Sequence, residues 1–386
     1  MRDREVLFVI PAKARIQVDQ RILFWVPAFA KMTVLCLENS QTPQSNSYSF
    51  IDTMQKFLLI VSSLFFIAIL AFVLNCAIPP ETTHAPIDVS QEAWEKNIAA
   101  TPDLKSALSK TKIEIIPGTD SVDIFMRVFG ESGKKTPVIM SHGLQSHSGW
   151  FAQSAAFIAG LGHPVYSMDR RGSGLSQAPR GDLKDFMIMV EDIHTVAKFV
   201  KKRHAKEKIY VLGHCFGAIP TAAYACEYPD SVKGLILTTP AIYTKTEPSF
   251  LWKIRILLTP SGSGNFMVPN PLETSDFTEL KAYEEFIKSD TLSLKAATGD
   301  FYYQVHRARK FIHKNNNRLT MPVIMGIAAE DPICDNRRNL TFFHKIPAAD
   351  NTLIEYNDAR HILEFSPERE KYFDDLANWL NRIDKT

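Results

Sequence analysis

Gly213-His214-Cys215-Phe216-Gly217 constrains the fold of this chain more than any other stretch. It follows an apolar run, Ile209-Tyr210-Val211-Leu212, and leads into a small-residue helical pattern, Ala218 through Glu227. A strand that runs through G-x-Nu-x-G into a helix is a nucleophile elbow. The turn is so sharp that a side chain at Gly213 or Gly217 is expected to collide with neighbouring backbone. It sets the middle residue, Cys215, at a helix N-terminus, where backbone N–H groups stabilise negative charge.

Three further segments follow the order such an elbow requires. Pro137 to Ser141 reads as a buried strand ending in His142-Gly143-Leu144. An oxyanion hole beside an elbow uses the N–H after the nucleophile and an N–H from the loop after an earlier strand. Leu144 and Phe216 are therefore the expected backbone donors. Gly143 lets that loop approach closely, and His142 is expected to be structural. Asp169-Arg170-Arg171-Gly172-Ser173-Gly174-Leu175-Ser176 follows the strand His163 to Met168 and reads as a bracing loop at the rim of the site. Downstream, the apolar strand Met321 to Ala328 ends in Ala329-Glu330-Asp331, and the strand Asn351 to Tyr356 ends in Asn357-Asp358-Ala359-Arg360-His361. His361 is expected to take the thiol proton. Asp331 would fix its tautomer and stabilise the imidazolium, with Glu330 and Asp358 as competing acids.

Taken together, these motifs resemble the monoacylglycerol lipase and lysophospholipase branch of the α/β-hydrolases, a branch described as serine aminopeptidase-like. The resemblance covers roughly residues 105–386. It implies an α/β fold: a mostly parallel eight-stranded sheet with helices on both faces, a helical cap inserted after the sixth strand, and hydrolysis of lipid-like esters. Two departures stand out. Cys215 occupies the place of serine, and Phe216-Gly217-Ala218 stands where Met-Gly-Gly is common. Dienelactone hydrolases, more distant relatives, use cysteine at the elbow, so a thiol is compatible with catalysis. The alternatives are a catalytically silent binding module of the same fold and an acyltransferase, in which an alcohol or amine intercepts the thioester. Nothing marks an acidic site for the α-amine of a peptide substrate.

The cap is expected over 240–318, between core segments 105–239 and 319–386. Phe277 to Ile287 and Leu292 to Ile312 read as its helices, and Pro260 to Gly264 as a flexible break. Such a cap closes over the nucleophile and shapes an apolar acyl pocket. A net charge of +2 makes no case for nucleic acid. The five cysteines, Cys36, Cys76, Cys215, Cys226 and Cys334, have neither zinc-site spacing nor a disulfide framework. No metal or cofactor is expected, and protein partners are left open. Cys226 falls on the apolar face of the helix after the elbow and reads as core.

The N-terminal hundred residues differ from the rest. Residues 1–53 read as a disordered or mis-assigned extension, with Met54 as the expected initiator. Residues 54–76 contain Phe57 to Leu74, interrupted only by Ser62 and Ser63. A run of about 18 apolar residues is long enough to span a membrane. Seven Lys and Arg residues precede it (Arg2, Arg4, Lys13, Arg15, Arg21, Lys31 and Lys56), and none follows before Lys96. The positive-inside rule puts the N-terminus in the cytoplasm and the catalytic part outside a bacterial membrane. A cleaved signal or a lipoprotein box at Val73-Leu74-Asn75-Cys76 is the alternative, and 77–104 reads as a linker.

Overall fold

The computed structural model describes residue 54 and residues 56–65, 101–120, 122–259 and 265–385. The expected extension 1–53, most of the anchor, the linker up to residue 100 and the break at 260–264 lie outside the described residues. Two units, Met1–Ala77 and Ile78–Thr386, divide the chain. In the first, residues 56–65 are helical, with Leu58, Leu59, Ile60, Leu64 and Phe65 exposed. Among the described residues no helix is long and apolar enough to cross a membrane.

The described residues of the second unit form ten strands: β1 (Lys112–Pro117), β2 (Asp123–Phe129), β3 (Val138–Ser141), β4 (Val165–Met168), β5 (Ile209–His214), β6 (Val232–Thr238), β7 (Met267–Pro269), β8 (Ala296–Thr298), β9 (Val323–Ala328) and β10 (Asn351–Tyr356). Eight form one sheet in the order β1-β2-β4-β3-β5-β6-β9-β10. β2 pairs antiparallel with both β1 and β4, and the remaining pairs are parallel. The central strands β3, β5 and β9 are buried at every position. That explains their near-continuous apolar sequences, because helices cover both faces of a parallel sheet. The edge strands β1 and β10 are half exposed instead.

Helices α1 (Pro102–Leu108), α2 (Ala152–Gly160), α3 (Met187–His204) and α4 (Ala218–Glu227) precede β7 together with α5 (Phe250–Leu258). After it come α6 (Lys281–Ser289), α7 (Gly299–Asn315), α8 (Asn336–Phe343) and α9 (Arg369–Ile383). Alternation along the strands sorts the core into two layers. Ile139 and Val211 pack with Val190, Ile193 and Val196 of α3. Val138, Tyr210 and Leu212 pack on the other face with Trp379 and Leu380 of α9. Each such fully buried side chain contributes about 1.5–3 kcal/mol.

Between β6 and β9 lie α5, the β7–β8 ribbon, α6 and α7. Both expected cap helices begin later than the sequence reading placed them. α6 starts at Lys281 rather than Phe277, because Phe277 and Thr278 are spent on tertiary contacts, including a hydrogen bond from Thr278 Oγ1 to the Phe365 carbonyl. α7 starts at Gly299 rather than Leu292. The Thr298 hydroxyl caps it by accepting from the Phe301 N–H at 3.1 Å, and Ala296–Thr298 pairs with β7 instead. This insertion is pinned to the core through Asp290. Its carboxylate accepts from Trp150 Nε1 at 2.6 Å and lies 3.2 Å from His147 Nε2, all of it buried.

Candidate functional site

β5 delivers the chain into a short turn, Cys215–Gly217, from which α4 departs. The strain falls on Cys215, whose φ is +52°. A left-handed conformation at a non-glycine residue costs on the order of 1–3 kcal/mol and persists only where the surroundings dictate it. The two glycines supply room rather than torsional freedom. A Cβ at Gly213 would lie 2.3 Å from Thr221 Oγ1, and one at Gly217 would lie 2.1 Å from the Ser141 carbonyl oxygen. His214, within the turn, stacks on Phe151 at 3.9 Å, and burial pushes it down to about 3, so it stays neutral.

The loop after β3 comes directly against the thiol. A Cβ at Gly143 would sit 3.2 Å from Cys215 Cβ and 3.4 Å from Sγ. His142 braces that loop. Its Nδ1 pairs with the Gly143 carbonyl at 2.8 Å while its Nε2 accepts the Arg170 N–H at 2.9 Å, so the proton resides on Nδ1. Burial, with Arg170 nearby, lowers His142 to about 3. Arg170 in turn donates to the Leu144 carbonyl at 3.0 Å and lies over the Phe216 ring at 5.0 Å. Asp169 accepts from the N–H groups of Ser148 and Leu175 at 2.7 and 2.8 Å. The Asp169–Ser176 segment thus ties together the backbone on both sides of the thiol, which is a structural role.

Asp331 and His361 leave the ends of β9 and β10. They meet through Asp331 Oδ2 and His361 Nδ1 at 2.8 Å, with neither side chain more than 1% exposed. Asp331 Oδ1 accepts the N–H groups of Ile333 and Cys334 at 2.8 and 2.9 Å. Burial works against its charge, but His361 and those donors hold Asp331 below the usual carboxylate range. Burial likewise opposes charge on His361, yet the Asp331 carboxylate, with Cys215, raises it well above the ordinary histidine range. His361 Nε2 is buried without a hydrogen-bond partner among the described residues. It is the ring nitrogen left for the thiol, and such contacts often tighten only when substrate binds. The competing acids, Glu330 and Asp358, are exposed.

Over the thiol lies a cavity of about 270 Å³, floored by Leu144, Cys215, Phe216 and Ile333 and roofed by Ile256, Leu257 and Phe301 of the insertion. Residues 133–368 match the family described as serine aminopeptidase, S33. The chain belongs to the serine aminopeptidase, S33 family. Curated relatives of this S33 chain include the monoglyceride lipase of Rattus norvegicus, 27% identical over 63% of this chain and 81% of the relative. Another is the monoacylglycerol lipase of Mycolicibacterium smegmatis, 23% identical over 63% and 87%. The solved Paleococcus ferrophilus monoacylglycerol lipase superposes with a TM-score of 0.61 at 22% identity, covering 67% of this chain and 99% of that one. A soluble variant of the Saccharomyces cerevisiae monoglyceride lipase, complexed with a substrate analogue, gives 0.62 at 20% identity over 71% and 96%. The fold is therefore that of the α/β-hydrolases, and the S33 chain is a carboxylic ester hydrolase in class.

Two features of the site were not anticipated from the sequence. Cys334, three residues past Asp331, donates its S–H to the Thr239 carbonyl at 3.2 Å and lies 3.8 Å from His361 Nδ1. Burial, together with Asp331, raises this thiol well above the ordinary cysteine range. Asp331, Cys334 and His361 could also group around a metal ion, but the first and last already form the acid–base pair. The second feature is a polar stripe on α7, facing the cavity: Tyr302, His306 and Arg309. Their spacing of four and three residues is that of one helix face, and this was the signal available in the sequence.

Proposed function

We propose that this chain cleaves lipid-like carboxylic esters, of monoacylglycerol or lysophospholipid type, through Cys215, His361 and Asp331. In this scheme the thiol proton is held on His361 Nε2, and the Cys215 thiolate adds through Sγ to the ester carbonyl carbon. The resulting oxyanion is held by the N–H groups of Leu144 and Phe216 and by the N-terminus of α4. Collapse breaks the carbon–oxygen bond, and the leaving alkoxide takes the proton from His361 to depart as an alcohol. Water then gives a proton to His361 and attacks the thioester. The acid is released and the thiol restored. Asp331 stays ionised throughout, fixing the imidazole with Nδ1–H towards itself.

The observation that carries this reading is the buried Asp331–His361 pair, whose Nε2 has no hydrogen-bond partner among the described residues, beside a thiol on the floor of a cavity that is apolar around the nucleophile. The names of the relatives favour a monoacyl lipid. So do Phe250, Leu257 and Leu258, which leave α5 apolar and exposed near the cavity. Mass spectrometry of the purified protein after mixing with a short p-nitrophenyl ester tests the chemistry. An acyl adduct on Cys215 that forms and decays with turnover is the expected result. No adduct and no turnover would leave a silent binding module, and an adduct discharged only by added alcohol or amine would make it an acyltransferase.

We further propose that Phe57 to Leu74 anchors the chain in a bacterial membrane with the catalytic part outside the cytoplasm, on the strength of its apolar run and the basic residues before it. A reporter fused after residue 90 should be active outside the cytoplasm. Activity confined to the cytoplasm would refute this topology.

A further inference from the structure

One wall of the cavity carries a cation whose charge its neighbours leave largely unanswered. Arg309 lies on α7, eight residues beyond Phe301, whose ring is 5.3 Å from that of Phe216 beside the nucleophile. At 1.5 Å per residue this places Arg309 about 12 Å along the cavity wall from the reacting end. The Arg309 side chain is about three-quarters buried. It offers five donors, yet its two polar contacts are long: Thr244 Oγ1 at 3.4 Å and Glu247 Oε1 at 3.6 Å. Its Nε is buried with no hydrogen-bond partner among the described residues.

Among the described residues Glu247 is the one carboxylate on this wall, and it is committed elsewhere. Lys253 Nζ reaches it at 2.5 Å, a full hydrogen bond, so its charge is answered by the lysine before the arginine. Burial, with Lys310 and Arg309 nearby, keeps His306 below its ordinary range and therefore neutral at physiological pH. Lys253, Arg309 and Glu247 then leave one net positive charge at this end. Burial disfavours that charge on Arg309, and Arg338 adds to the cost, so a desolvated anion would relieve it. Arginine suits phosphate and carboxylate because its planar fork pairs with two oxygens at once. The Tyr302 hydroxyl, seven residues before Arg309 and so on the same helix face, is also buried with no hydrogen-bond partner among the described residues and offers a second polar point nearer the thiol.

We propose that the cavity takes esters carrying an anionic group, a phosphate or a carboxylate, and holds that group on Arg309. This rests on the ester-hydrolase reading above and narrows it from neutral to acidic lipids. The anion could lie on the alcohol side of the ester, as in a lysophosphatidate, or at the far end of the acyl chain, as in a half-ester of a dicarboxylic acid.

The test uses the full chain and three esters of matched chain length: a 1-acylglycerol, a 1-acylglycerol phosphate and a p-nitrophenyl half-ester of a dicarboxylic acid. Arg309→Gln should lower the ratio of kcat/KM for an anionic ester to that for the neutral one by at least tenfold. Arg309→Lys should keep part of the preference, and Glu247→Gln should raise it. The anionic substrate whose ratio falls identifies the side on which the charge sits. Binding is read separately, as the thermal stabilisation of wild type and Arg309→Gln by octyl phosphate, octanoate and octanol. The two anions should stabilise wild type more than octanol does, and the excess should vanish in Arg309→Gln. If neither ratio moves in Arg309→Gln and the anions stabilise no better than octanol, the anion site is refuted. If no ester is turned over but the Arg309-dependent stabilisation remains, the hydrolase reading fails and the anion site stands.

Discussion

Glu364 offers a sharp test of how the base is held in place. It lies on the short turn Leu363–Phe365, three residues past His361, and is 1% exposed. One carboxyl oxygen accepts from the Ser154 hydroxyl, and the other has no hydrogen-bond partner among the described residues. Burial pushes this carboxyl up to about 8, against an ordinary value of 4.5. Between those two pH values the folded chain holds a proton there that the unfolded chain has released. Stability therefore falls as pH rises across this window, by up to about 1.4 kcal/mol per unit from this group alone. From pH 5 to pH 8 the loss should be about 3 kcal/mol. Glu364→Gln keeps an acceptor for Ser154 but cannot titrate, and any cost of its buried amide is the same at every pH. The assay is denaturant unfolding of both proteins at pH 5, 6, 7 and 8. The difference, variant minus wild type, should climb by about 3 kcal/mol across the series, because groups common to both proteins cancel. Parallel stability curves would show that Glu364 is already ionised when folded, and the reasoning from burial would be wrong.

Other outcomes follow from the same geometry. Iodoacetamide should label Cys215 ahead of Cys226 and Cys334, since burial pushes the Cys226 thiol up to about 12 and raises Cys334 well above its ordinary range; peptide mapping over time checks this. Cys215→Ser should retain measurable esterase activity because the same base and N–H donors serve a hydroxyl, whereas Cys215→Ala should have almost none in a p-nitrophenyl ester assay. Gly217→Ala should destabilise the fold by about 3 kcal/mol or more, or prevent folding, because its Cβ would overlap the Ser141 carbonyl; thermal melting followed by circular dichroism reports the loss. Asp290→Ala should cost about 3–5 kcal/mol by stripping a buried charge from His147 and Trp150, with hydrogen exchange speeding up first in α6 and α7.

The central strands were legible in the sequence because burial on both faces makes them apolar at nearly every position, as in Val323–Ala328. The elbow was legible because its two glycines are demanded by contact distances that no side chain can meet. The β7–β8 ribbon was not, since three residues per strand are too few for any period to emerge. The late starts of α6 and α7 escaped for a related reason: apolar residues before them read as helix face but are used in loop and ribbon contacts. His147 and Asp290 lie too far apart in the chain for any local pattern to join them. Cys334 reads as one more apolar residue after an acid until the fold brings it beside His361. The sequence order of acid and histidine could be read directly, whereas the choice of Asp331 over Asp358 becomes plain only from burial.

The insertion leaves the sheet at the end of β6 and returns at β9, and these two strands are hydrogen-bonded neighbours, with Thr238 opposite Gly326. Its two ends are therefore stapled side by side by the core, whatever lies between them. Closing a longer loop across such a fixed gap costs only about 0.6 kcal/mol for each doubling of its length. Away from the Asp290 contacts to Trp150 and His147, changes of sequence and length can thus accumulate there while the register of the sheet, the elbow and the acid–base pair remain unaltered. If the roof of the cavity selects the substrate, as proposed, substrate choice resides in the part most free to drift, and a graft of another cap between residues 239 and 322 would carry a new specificity with it.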